Sequence, residues 1–147
     1  MRFTQSIHAV LIQKFATFHG RASRSEYWWF QAFYWPSILI YFIIFSPILL
    51  SRELAAEIDW GVFGELITSL SIIWAGLLIG MFIPLTALQV RRFHDCNLSA
   101  WWFVAAFLIG YIPYLGFLSI GAVLVISALK GTDGSNKYGT ETAQIRQ

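Results

Sequence analysis

Residues Tyr27–Leu50 read YWWFQAFYWPSILIYFIIFSPILL, a run without one charged side chain. As an α-helix rising about 1.5 Å per residue it reaches roughly 36 Å, enough to cross a hydrocarbon core of about 30 Å with some tilt. Pro36 and Pro47 would be costly inside a helix surrounded by water. In a bilayer, neighbouring groups re-satisfy the carbonyls that a proline frees, so the two prolines predict kinks and not breaks. Composition supports lipid as part of the solvent. Hydrophobic residues make up 57% of the 147-residue chain and charged residues 12%, against about 25% charged in a soluble domain. So small a domain has too much surface for its volume to hide that apolar excess from water.

Working outward, Leu66–Val90 is a second uncharged run, with Pro84 near its end and Gly76 and Gly80 at the small-xxx-small spacing that lets helices approach closely. Leu98–Leu129 is a third. As one straight helix it would measure roughly 48 Å, well beyond the core thickness. Its middle, Gly110-Tyr111-Ile112-Pro113-Tyr114-Leu115-Gly116, supplies the residues of a chain reversal. Two short helices, 98–112 and 114–129, then form a hairpin, each somewhat short for a full crossing, which leaves a re-entrant pair as the alternative.

Charge placement arbitrates between three crossings and four membrane segments. The stretch 51–65 holds Arg52 against Glu53, Glu57, Asp59 and Glu65. The other basic residues are Arg2, Lys14, Arg21, Arg24, Arg91, Arg92, Lys130, Lys137 and Arg146. With the N-terminus and the 91–97 loop cytoplasmic, a hairpin returns Lys130, Lys137 and Arg146 to the same side, as the positive-inside rule requires, whereas a single third span exports them. The expected fold is therefore an all-α integral membrane protein with four membrane helices, two long spans plus a short helical hairpin, with both termini cytoplasmic and 51–65 an acidic periplasmic loop. Trp28, Trp29, Trp101 and Trp102 lie at span ends, as interfacial anchors do.

Before the first span, Phe3, Ile7, Val10, Leu11, Phe15 and Phe18 recur at helical spacing, which predicts an interfacial amphipathic helix over residues 1–20. The longest clean apolar run there is Ala9–Ile12, too short for a signal-peptide core of roughly 7–15 residues. Insertion through the first span is expected instead. The tail after Thr140 reads as disordered, and 130–147 as a cytoplasmic tail. A net charge of +2 gives no field to attract nucleic acid, and a single cysteine, Cys96, excludes an intrachain disulfide. His8, His19 and His94 are scattered and lack zinc-site spacing; no metal or cofactor is expected.

Three polar segments flank the spans: FHGRASRSEYWWF from Phe18, RRFHDCNLSAWW from Arg91, and KGTDGSNKYG from Lys130. Ser23 or Ser25 suits the N-cap of the first span, with Glu26 in its first turn. Asp95, Asn97 and Ser99 are each of a type that caps the third helix. Arg91 and Arg92 complement the C-terminal dipole of the second, and Lys130-Gly131 pairs a cation with a helix-stopping glycine. In order and spacing these segments resemble the YhaH/YhaI-like bacterial inner-membrane proteins, the domain-of-unknown-function family numbered eight hundred and five. The likeness covers roughly residues 10–140 and implies a bacterial inner-membrane location, with no established activity to carry over. The family pattern has a glycine, a basic residue and a second glycine where this chain has Asn97, Leu98 and Ala100. Asparagine tolerates the left-handed backbone a glycine would serve there; loss of the basic residue at Leu98 weakens that position for anion binding. The family's proline-containing end is also missing at Thr140–Thr142.

Four functional readings follow, in decreasing order of support. The first is a structural or accessory role. In it Arg21, Arg24, Glu26, Arg91, Arg92, His94 and Asp95 form a polar network at the cytoplasmic face that fixes helix register, with a membrane-protein partner or a homo-oligomer as the assembly. In the second, the four arginines converge with the turn amides near Gly131–Asn136 to bind an anionic lipid headgroup or a small phosphorylated ligand, with Asn136, Lys137 and Tyr138 as further candidates. Catalysis by His94 with Asp95 or Glu26 comes third, since neighbours on one helix do not face each other. Transport comes last, because no span carries an intramembrane charge.

Overall fold

The computed structural model describes residues 2–54 and 60–140, and these are helical throughout their apolar stretches. Helix α1 (Phe3–His8) runs into a π-helical turn (Ala9–Gln13), followed by α2 (Arg24–Leu54), α3 (Gly61–Gly80), α4 (Phe82–Asp95), α5 (Ala100–Ile109) and α6 (Leu115–Ala128). Among the described residues there is no strand, only an isolated bridge between Asn136 and Gly139. Glu57 and Asp59 of the expected acidic loop, and the tail beyond Thr140 with Arg146, lie outside the described residues, as do the side chains of Arg52 and Glu53.

Helix α2 continues through both Pro36 and Pro47. The Ser37 hydroxyl donates to the Phe33 carbonyl at 2.8 Å and that of Ser46 to the Phe42 carbonyl, which adds side-chain donors beside the turns that lack a backbone N–H. Between α3 and α4 the helical run is interrupted at Met81. Pro84 has no N–H for the Gly80 carbonyl, and the break falls where that bond is lost. A methyl group on Gly76 or Gly80 would meet nothing within 4 Å, so the close approach their spacing permits is not made within the described chain.

The chain forms two units. Residues Gln31–Phe82 make one, comprising most of α2 and all of α3. In it Phe45 meets Trp74 with ring centroids 5.9 Å apart, and Gly64 and Ser71 are buried. Leu39, Ile43, Ile72 and Ile79 point outward, the arrangement expected where lipid is the solvent.

Residues Met1–Phe30 with Ile83–Gln147 make the other. Its centre is polar: Arg91 and Arg92 are the largest fully buried side chains, ahead of Tyr27, Phe30, Phe93 and Leu88, while Trp101, Trp102, Phe117 and Leu118 face outward. The N-terminal helix stops at Gln13, so Phe15 and Phe18 lie beyond it; Lys14 leaves helical geometry at φ −130°. The hairpin helices are shorter than the apolar run that encodes them. Asn97 takes φ +60° in the connection before α5, and the five residues Gly110–Tyr114 form the turn before α6.

Candidate functional site

The first two turns of α2, the last turn of α4 and the segment after α6 meet in one buried network. Ser23 begins it by capping α2: its hydroxyl accepts the Glu26 N–H at 3.2 Å, the side-chain cap that the sequence Ser-x-x-Glu calls for. The Ala22 N–H donates to the Arg91 carbonyl at 3.1 Å, laying the chain before α2 along the end of α4.

Asp95 is the hub. Its carboxylate accepts from Arg21 Nε at 2.7 Å and, through the other oxygen, from Arg92 Nη1. Its backbone carbonyl accepts the Thr132 N–H at 2.8 Å and the Thr132 hydroxyl at 3.1 Å. Asp95 therefore ends α4 and does not cap α5. Two guanidiniums stabilise a buried carboxylate more than a single backbone N–H would. Ser99 holds the N-cap position of α5, without a side-chain hydrogen bond.

The arginines reach the third segment mainly through main-chain oxygens. Arg21 Nη1 donates to the Gly134 carbonyl and Nη2 to that of Thr132, both at 2.6 Å. Arg92 Nε donates to the Ser127 carbonyl at 2.9 Å, Nη1 also to Ala22, and Nη2 to Leu129. Every nitrogen of both guanidiniums thus has an acceptor. Gly131 is required by this packing: a β-carbon there would lie 2.0 Å from Asp95 Oδ2.

A second pair lies beside the first. Arg91 Nη1 donates to Glu26 Oε1 at 2.7 Å, and Lys14 Nζ stands 3.7 Å from Glu26 Oε2. Arg91 Nε and Nη2 are buried without a hydrogen-bond partner. Three buried arginines, Arg21, Arg91 and Arg92, face two buried carboxylates, Glu26 and Asp95, which leaves one positive charge in excess.

The rim of the network is aromatic. His94 Nδ1 lies 3.2 Å from the Gly20 carbonyl, and its ring stacks on Tyr138 with centroids 3.8 Å apart and planes 5° from parallel. Lys137 Nζ lies 5.0 Å over the same Tyr138 ring. Asn136 Nδ2 donates to the His94 carbonyl at 2.9 Å, and Asn136 Oδ1 accepts the Tyr138 N–H at 2.9 Å. Arg24, exposed at the start of α2, is not drawn in. The Cys96 thiol donates to the Ile126 carbonyl at 3.5 Å, and burial pushes its pKa up.

A family model described as "Protein of unknown function (DUF805)" matches residues 15–140, which contain every residue of this network except Lys14. The chain belongs to this family. It is similar to inner membrane protein YhaH of Escherichia coli strain K12, at 33% identity over 133 residues, 89% of this chain and 91% of that one. It is also similar to inner membrane protein YhaI of the same strain, at 31% identity over 132 residues, 89% and 90% of the two chains. No solved structure matches. With its all-helical fold and two helical stretches apolar and long enough to cross a membrane, Arg24–Ser51 and Gly61–Asp95 (α3 with α4), the chain is an integral membrane protein of this inner-membrane family.

Of the residues singled out in the sequence, the structure gathers Arg21, Arg92, Asp95 and Asn136 in one cluster, Glu26 with Arg91 beside it, and His94, Lys137 and Tyr138 along its rim. Sequence reasoning missed Ser127 and Leu129, which meet Arg92 through main-chain carbonyls that leave no mark in residue type, and Thr132, which joins through its carbonyl, N–H and hydroxyl. It read Gly131 as a helix stop; its tight contact is with the Asp95 carboxylate.

Proposed function

We propose that this protein is a structural or accessory component of the inner membrane, held together on its cytoplasmic side by the Arg21–Asp95–Arg92 clasp. The observation that carries this reading is engagement: every nitrogen of Arg21 and Arg92 already donates to an oxygen of the protein. An active site needs groups free to meet a reactant, whereas His94 has its Nδ1 against the Gly20 carbonyl and its ring stacked on Tyr138.

The same contacts support four membrane segments with both termini cytoplasmic. Residues 20–26, 91–95 and 127–136 bond to one another, so they share one side of the bilayer. Their arginines and lysines make that side the cytoplasmic one by the positive-inside rule. Reporter fusions at Gly116 and Gln147, with affinity purification in native lipid, test the reading. A cytoplasmic Gln147 and a stoichiometric membrane-protein partner or second copy are expected. A periplasmic Gln147 refutes the topology, and turnover of a lipid abolished by His94→Ala at unchanged abundance refutes the structural role.

One observation favours a second reading. Nε–H and one Nη2–H of Arg91 lie along the same edge of its guanidinium, the edge that grips two oxygens of a phosphate or carboxylate. That edge is unpartnered and the cluster carries excess positive charge. An anionic lipid headgroup fits such a fork. Since the Arg91 side chain is only 1% exposed, entry needs the groups covering it to move. Anionic phospholipid retained through purification and lost in Arg91→Gln is the expected result; equal lipid content in both proteins removes this reading.

A further inference from the structure

Helices α5 and α6 are as apolar as the long helices but much shorter. With 10 residues, α5 rises about 15 Å, and with 14 residues α6 rises about 21 Å. A hydrocarbon core is about 30 Å thick. At the base of the hairpin Trp101 is 77% and Trp102 62% exposed; at its tip Tyr111 is 74% and Tyr114 88% exposed. Tryptophan and tyrosine mark the headgroup level on either side of a membrane, and the chain from Trp102 to Tyr111 would rise only about 14 Å even at full helical pitch.

The tip does not belong in hydrocarbon. Every residue from Phe107 to Leu115 is exposed, and Gly110–Tyr114 is irregular backbone with Tyr114 at φ +66°. Lipid-exposed irregular backbone does not occur within the hydrocarbon region, because its polar groups have no water there.

Nor can the hairpin lengthen. A β-carbon on Gly116 would lie 2.6 Å from the Gly110 carbonyl oxygen, so the turn is already closed tightly. The Ser119 hydroxyl donates to the Ala106 carbonyl and ties α6 to α5. At the base, Arg92 holds the carbonyls of Ser127 and Leu129. The height is therefore set by the protein, and the lipid must adapt.

We propose that α5–α6 crosses a locally thinned bilayer, with Tyr111 and Tyr114 at the headgroups of the far leaflet; this rests on the four-segment topology above. Snorkelling of the tyrosine side chains takes up part of the shortfall of roughly 9–16 Å. Compression of the surrounding acyl chains takes up the rest. The partner of this surface is an annulus of phospholipid with short or compressed chains.

Two measurements test the proposal. The wild-type protein is reconstituted in phosphatidylcholine vesicles with acyl chains from about 14 to about 22 carbons, and its thermal midpoint is followed. The midpoint should be highest in the short-chain vesicles and fall steadily with length; a midpoint that rises with length or ignores it overturns the proposal. In a Cys96→Ser background, Tyr114→Cys should react with a membrane-impermeant maleimide several-fold faster from the periplasmic side than from the cytoplasmic side. Ser135→Cys, in the exposed part of the tail, should react only from the cytoplasmic side. If Ser135→Cys behaves so while Tyr114→Cys reacts from neither side, the thinned crossing is wrong and the topology stands. Reaction of Ser135→Cys from the periplasmic side removes the topology and the proposal with it.

Discussion

Replacing Asp95 by alanine puts the clasp to its most severe test. The Asp95 carboxylate is the charge partner of both Arg21 and Arg92, and all three side chains are buried. Removing one member of a buried ion pair costs about 3–5 kcal/mol, chiefly because the survivor keeps its charge away from water. Here two guanidiniums lose their counter-charge at once. Each retains main-chain carbonyls, Thr132 and Gly134 for Arg21, and Ala22, Ser127 and Leu129 for Arg92. Those dipoles offset part of the loss, which places the expected destabilisation at about 4 kcal/mol. Against a total stability of about 5–15 kcal/mol that is a large share, and membrane abundance should drop several-fold. The assay is denaturant unfolding in mild detergent followed by tryptophan fluorescence, run for Arg21→Ala, Asp95→Ala and the double variant. The double variant should be less destabilised than the sum of the singles by about 1–3 kcal/mol, since removing Arg21 also removes one stranded charge. An Asp95→Ala protein as stable as wild type, or strictly additive variants, refutes the clasp.

Gly131→Ala drives a methyl group into the Asp95 carboxylate and should cost about 3 kcal/mol, the upper end of overpacking; wild-type unfolding would show that the two do not press together. Tyr138→Phe keeps the ring stacked on His94 and should be neutral, whereas Tyr138→Ala should lose about 1 kcal/mol; equal effects of the two would deny the stack. Lys130 and Asp133 pair at 2.7 Å but are solvent-exposed, so Lys130→Ala should change unfolding by less than about 0.5 kcal/mol. Because the Cys96 thiol is pushed up by burial, its thiolate forms at higher pH than that of a free cysteine. Its maleimide reaction at neutral pH should therefore be slower in the folded protein than in the denatured one, and its rate should climb at higher pH; equal rates would refute the burial.

The helical fold was legible because lipid imposes a simple demand. Uncharged runs such as Tyr27–Leu50 and Leu66–Val90 must be helical if they are to satisfy their own backbone in hydrocarbon. Where that demand relaxes, legibility falls. Phe15 and Phe18 keep the helical spacing of residues 3–13 yet lie past the end of the helix, because spacing says which face is apolar and not where a backbone stops. The apolar run Leu98–Leu129 told of a reversal near Pro113, but the turn takes all of Gly110–Tyr114 and shortens α5 to end at Ile109. The charged residues of the network could be named from type and position. Its geometry could not be, since most of the acceptors that Arg21 and Arg92 use are backbone carbonyls, identical in every residue. Arg24 shows the converse: it resembles Arg21 in sequence, but as the first residue of α2 it faces out while Arg21, before the cap, faces in.

The short hairpin and the closed clasp explain each other. Two helices of 10 and 14 residues bury too little apolar length to hold a fixed position in a bilayer, where association between helices gains nothing from expelling water. Fixing them requires directional bonds at a defined depth, and the boundary with water is where arginine can supply these without the cost of a charge at the bilayer centre. Arg92, on the long α3–α4 run, takes hold of α6 at Ser127 and of the chain just past it at Leu129. Arg21, just before the long α2, takes hold of Thr132 and Gly134. Helix α4 and the segment before α2 thus both grip the end of the hairpin, and Asp95 neutralises the two grips with one carboxylate.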